Sequence, residues 1–96
     1  MAAYIVGQIN ITDAETFKIY SEKVAPTVHQ YGGRYLVRGG TVEKLEGNFS
    51  GSRIVVIEFE SADAVKRWYN SEEYVPLIKI RQQASDGDLL MVDGVQ

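Results

Sequence analysis

The chain of 96 residues contains no cysteine, one histidine, two prolines and one tryptophan. The missing cysteines exclude a disulfide framework, thiolate catalysis and any thiolate-bound metal. A single histidine removes most zinc and iron sites as well, so neither a metal nor a cofactor is expected. No apolar run approaches the roughly 18–20 residues that a membrane span needs. The start, Met1-Ala2-Ala3-Tyr4, lacks the basic segment of a secretory signal, and the expected location is the cytoplasm. Basic excess is absent too: 10 Lys+Arg against 13 Asp+Glu give a net charge of −3, with both signs interspersed. A nucleic-acid partner is therefore not expected. The length suits a single domain over residues 1–96.

What is present reads as alternating strands and helices. In Tyr4 to Ile11 the residues Ile5, Gly7, Ile9 and Ile11 share one face, the pattern of a strand. Thr12-Asp13-Ala14-Glu15 fits a capping box with Thr12 as N-cap. Behind it Phe17, Tyr20, Val24, Val28 and Tyr31 form the apolar stripe of a helix. Pro26 should kink that helix or split off its last turn, and Gly32-Gly33 should end it. Arg34 to Leu45 reads as a second strand with a bulge or close backbone approach at Gly39-Gly40. Glu46 to Ser52 is a loop of turn formers. A third strand spans Arg53 to Glu60. Ser61 caps a helix through Ala64, Val65, Trp68 and Tyr69, and a further short helix opens at Ser71-Glu72-Glu73, with Pro76 near its first turn. Asp86-Gly87-Asp88 reads as a turn before a last strand, Leu89 to Val92.

The order β-α-β-β-α-β predicts an α+β, ferredoxin-like fold: a four-stranded antiparallel sheet with its helices on one face. The free face should then alternate apolar with polar residues. Ile54-Val55-Val56-Ile57 and Leu89-Leu90-Met91-Val92 do not alternate, being apolar on both faces. The simplest cover is the same sheet of a second copy, closing a homodimeric barrel across a two-fold axis.

Tyr31-Gly32-Gly33-Arg34-Tyr35-Leu36-Val37-Arg38-Gly39-Gly40 resembles the central signature of the small bacterial domains called domain-of-unknown-function family thirteen-thirty. Val56-Ile57-Glu58-Phe59, and Trp68-Tyr69-Asn70-Ser71-Glu72-Glu73-Tyr74 with Arg81 behind it, agree with that family. The resemblance runs from about Tyr4 to Gly94. It implies a dimeric α/β barrel, in a superfamily that also holds cofactor-independent monooxygenases and dimeric lactone isomerases. It implies no particular reaction.

Several side chains have both a functional and a structural reading. His29, the single histidine, suits a general base, or else complements the end of its helix. Glu58 is a candidate base if buried alone, or a sheet ion-pair partner of Arg38 or Arg81. Arg34 and Arg38, four apart on one strand, share a face unless a bulge intervenes, and arginine forks suit carboxylates. The expected pocket lies between the first helix, the Ser71 helix start and the second strand. Arg38 and Arg81 anchor an anion there, Trp68, Tyr69 and Tyr74 form the apolar wall, and Ser71 caps the helix at its edge. Two functions follow. One is a cofactor-independent enzyme, acting by proton transfer or oxygenation on a small organic acid. The alternative is a non-catalytic dimer that binds a small ligand or serves as a stress-related accessory protein.

Overall fold

A computed structural model describes residues 1–51 and 53–95. Ser52, the last residue of the expected Glu46–Ser52 loop, lies outside the described residues, as does Gln96. The elements run β1 (Ala3–Ile11), α1 (Ala14–Gln30), β2 (Arg34–Arg38), β3 (Arg53–Phe59), α2 (Ala62–Tyr69), α3 (Val75–Ala84) and β4 (Ser85–Asp93). The strands form one sheet in the order β2-β3-β1-β4, with every neighbouring pair antiparallel. This is the α+β, ferredoxin-like arrangement that the element order predicts.

Strand alternation decides what each face holds. On β1, Ala3, Ile5 and Ile9 are buried under the helices, while Tyr4 and Val6 point to the opposite, outer face. On β3, Ile57 and Phe59 enter the core, and Ile54, Val56 and Glu58 face outward. Phe17, Tyr20, Val24 and Val28 of α1, and Val65 and Trp68 of α2, close the core from above. The outer face stays uncovered: Leu90 and Val92 keep 50% and 46% of their surface exposed beside half-buried Val6, Ile54 and Val56.

Five local expectations need correction. The N-cap of α1 is Asp13 rather than Thr12: its carboxylate accepts from the Thr16 N–H at 3.2 Å and the Thr16 hydroxyl at 2.7 Å. Pro26 does not split off the last turn of α1, which continues to Gln30. Pro26 and Glu22, the residue whose carbonyl loses its partner, both lie on the exposed side, where water replaces the bond. The last helix opens at Val75 rather than Ser71, because Ser71 builds the turn before it. Its hydroxyl donates to the Trp68 carbonyl at 2.7 Å and accepts from the Tyr74 N–H at 3.1 Å. Asp86-Gly87-Asp88 is no turn but the start of β4, paired with Gln8, Ile9 and Asn10. Gly87 permits this at φ 139°, where any Cβ would strike the Gln8 carbonyl oxygen.

The fifth correction matters most for the site. β2 stops at Arg38 rather than Leu45, and its bulge sits between Tyr35 and Val37 instead of at Gly39-Gly40. The extra residue, Leu36, reverses the alternation of the strand. Arg34 therefore pairs with Glu58 on the outer face, while Arg38 pairs with Val55 on the helix face. The two arginines do not share a face. Gly39 then turns the chain at φ 72° and lies so close to the Arg53 guanidinium that no side chain fits between them. The close approach expected at this glycine is present, without the bulge.

Candidate functional site

The cleft between α1 and the sheet gathers the chemistry. Phe17, Tyr20, Ser21 and Val24 line it from α1, Ile5 and Ile9 from β1, and Tyr35 and Arg38 from β2. Arg53, Val55 and Ile57 of β3, with Trp68 and Leu89, complete the wall. Its free interior is about 30 Å³, room for about two waters. Only a few heavy atoms of a ligand fit inside without side-chain movement.

Two guanidinium groups meet this apolar space, and among the described residues no carboxylate lines it. Arg38 reaches across the mouth from β2 to α1, donating to the Ser21 carbonyl at 2.6 Å and to the Ser21 hydroxyl at 3.2 Å. Its guanidinium also stacks 4.7 Å above the Tyr35 ring. Arg53 lies 5.4 Å over the Phe17 ring, and its Nε is buried without a hydrogen-bond partner among the described residues. Burial, and then the charge of Arg38, pulls the Arg53 pKa below the ordinary arginine value. An arginine nevertheless stays cationic, so the cleft carries positive charge.

The inner wall is aromatic. Trp68 packs 4.0 Å from Tyr74, centroid to centroid, and its indole N–H donates to the Thr27 hydroxyl at 3.0 Å. Thr27 in turn donates to the Val24 carbonyl at 2.7 Å, which fixes the indole against α1. The hydroxyls of Tyr20 and Tyr74 lie 2.9 Å apart, and Arg81 Nη1 donates to the Tyr74 hydroxyl at 3.1 Å. Burial raises the pKa of Tyr20, Tyr35 and Tyr74 alike, that of Tyr20 far above the usual phenol range. All three are neutral at any physiological pH.

The structure gathers only part of the expected set. Arg38 and Trp68 line the cleft together. Tyr74 and Arg81 stand behind it, linked through the Tyr20 hydroxyl. Arg81 faces a separate cavity of about 90 Å³ bordered by Asp86 and Asp88. Tyr69 borders an open groove of about 230 Å³ between α2 and β4, on the far side of Trp68. Ser71 is buried in its turn, where its hydroxyl bonds the Trp68 carbonyl and the Tyr74 N–H. His29 is exposed near the end of α1, its ring edge-on to Tyr35 at 6.2 Å, outside the cleft lining.

Glu58 lies on the outer face and pairs with neither Arg38 nor Arg81. It binds Arg34 at 2.7 Å and accepts from the Tyr4 hydroxyl at 3.2 Å. The register places Arg34 directly opposite it, while the sheet itself separates it from Arg38. Arg53 is the residue that sequence reasoning missed. The signal was there: counting back by twos from Phe59 through Ile57 and Val55 puts Arg53 on the buried face. Among the described residues no three His, Asp or Glu side chains gather to hold a metal, and no helix is long and apolar enough to cross a membrane.

This architecture recurs in solved structures. A protein of unknown function from Rhodopseudomonas palustris, RPA0582, matches 99% of this chain and 83% of its own, at 17% identity and TM-score 0.80. SnoaB, a cofactor-independent oxygenase from Streptomyces nogalater, matches 99% of this chain and 94% of its own, at 12% identity and TM-score 0.69. An antibiotic biosynthesis monooxygenase matches over the full length of both chains, at 14% identity and TM-score 0.59. At these identities the likeness is one of fold. No curated protein matches the chain. The family model described as Domain of unknown function (DUF1330) matches residues 2–95, nearly end to end, and the chain belongs to that family.

Proposed function

We propose that the chain binds a small organic acid in the cleft between α1 and the sheet, its carboxylate held by Arg38 and Arg53. The observation that carries this reading is Arg53, a cation with a buried, unbonded Nε beside a second cation and no carboxylate. A buried N–H of a cation without a bond costs stability, and a bound anion would offset that cost. Propionate supplies a carboxylate on a short apolar body, and propionamide is its neutral counterpart. Amide chemical-shift titration should show propionate binding at least about tenfold more tightly, the worth of one charged hydrogen bond. Arg38→Ala should weaken propionate by about 1.5–3 kcal/mol with little loss of stability. Equal affinity for acid and amide would end the proposal. So would an Arg38→Ala protein that is destabilised while its affinity is unchanged.

Cofactor-independent proton transfer or oxygenation of such an acid is the second reading. It is supported by the fold shared with SnoaB, which is described as a cofactor-independent oxygenase. His29 and Glu58 do not line the cleft, so binding is the better supported of the two. The same proposal takes the working unit to be a homodimer. Support comes from the outer sheet face, whose half-exposed Leu90 and Val92 continue an apolar surface over Val6, Ile54 and Val56.

A further inference from the structure

The buried chain Arg81–Tyr74–Tyr20 ends at the cleft, and its hydrogen-bond polarity follows from its first member. An arginine only donates, so the bond of Arg81 Nη1 to the Tyr74 hydroxyl at 3.1 Å makes the Tyr74 oxygen an acceptor. Tyr74 is completely buried, and its own proton needs an acceptor too. Arg81 cannot accept it. The hydroxyls of Tyr74 and Tyr20 lie 2.9 Å apart and either can donate; donation from Tyr74 to Tyr20 gives the fully buried Tyr74 proton its acceptor. The Tyr20 proton is then displaced from the pair. Tyr20 lines the cleft, and its hydroxyl makes no other hydrogen bond among the described residues.

We infer that Arg81 and Tyr74 orient the Tyr20 hydroxyl as a donor into the cleft, so that the site selects acids carrying a second acceptor oxygen beside the carboxylate, 2-oxo acids above all. This rests on the reading of the cleft as a carboxylate site. Arg38 and Arg53 hold the carboxylate near the mouth, and Tyr20 donates to the neighbouring carbonyl oxygen. Tyr20 is thus a binding residue that sets specificity, and Tyr74 and Arg81 are positioning residues that act through it. Neither of the last two reaches the ligand.

Pyruvate and propionate differ by this one oxygen, and both are anions at neutral pH. The dissociation constants of both are measured by amide chemical-shift titration on the full chain and on Tyr20→Phe and Tyr74→Phe. The unaltered protein should prefer pyruvate by about fivefold, the worth of one neutral hydrogen bond. Tyr20→Phe should abolish that preference while leaving the propionate constant unchanged. Tyr74→Phe retains the Tyr20 hydroxyl but frees it to turn, and should cut the preference by about half. A role confined to packing would shift both ligands together. If both acids bind but pyruvate has no advantage, or keeps it in Tyr20→Phe, the inference is overturned and the carboxylate site stands. If neither acid binds, the carboxylate site falls and the inference with it.

Discussion

The two faces of the sheet treat charge in opposite ways. On the outer face, Arg34 has a carboxylate at 2.7 Å, Glu58, which also accepts from Tyr4. On the helix face, Arg38 and Arg53 have none; Arg38 bonds only Ser21 and stacks on Tyr35, and Arg53 rests on Phe17. Apolar matter is distributed the other way. The helix face is sealed by Trp68, Phe59 and Val28, whereas the outer face leaves Leu90 and Val92 half in water. The helix face joins a closed apolar layer to cations that lack a carboxylate, and the outer face joins a paired arginine to half-exposed apolar side chains. The deficiencies suggest what each face meets: an anion under the helices, an apolar surface on the other side. A single inserted residue, Leu36, divides the arginines of β2 between these two environments.

The largest effect that tests this contrast is expected at Val56, in the middle of the outer face. Val56→Asp places an unpaired carboxylate in the proposed dimer contact, where burial costs several kcal/mol. Sedimentation should find the unaltered protein dimeric at micromolar concentration and the variant monomeric or unfolded. A stable monomer in the unaltered protein would show that the outer face needs no partner copy.

Arg53→Met should move stability and binding in opposite directions. Removing a cation whose Nε is buried and unbonded should raise unfolding free energy by about 1 kcal/mol. Propionate affinity should fall about tenfold in the same variant, from the loss of one charged hydrogen bond. Denaturant unfolding and titration of the same sample check both halves. A drop in stability would make Arg53 a structural residue instead. The smallest effect belongs to Arg34, with 70% of its side chain exposed in its ion pair. Arg34→Ala should cost no more than about 1 kcal/mol and leave propionate binding untouched, as exposed pairs usually do.

The elements were legible in the sequence where one physical rule acted alone. β1 follows from alternation, α2 from the Ser61 cap and its stripe, and the doubly apolar β3 and β4 from unbroken runs of Val, Ile and Leu. Legibility failed where tertiary context selected among options that are locally equal. Nothing in Tyr35-Leu36-Val37 marks Leu36 as the extra residue, because all three suit a strand; pairing with β3 decides it. Ser71 has the chemistry of a helix cap and uses it, but in a turn that also satisfies the end of α2. In the candidate site, Trp68 was within reach because the helical stripe points it inward, whereas Arg38 reaches the helix face only through the bulge at Leu36. Arg53 was missed although its register could be counted. Glu58 was assigned the wrong partner because that assignment depends on the bulge.

The position of Trp68 gives the molecule its own optical reporter. It is the single tryptophan of the chain, 1% exposed, edged by Tyr69 and Tyr74 and bonded to Thr27 on the wall of the cleft. An indole in such a place emits at short wavelength, takes up excitation energy from the neighbouring phenols, and shifts to the red when water reaches it. One emission spectrum therefore follows both the opening of α1 over the sheet and global unfolding. Excited beyond the absorption band of the six tyrosines, the emission comes from one side chain, and the signal assigns itself without labels or further substitutions.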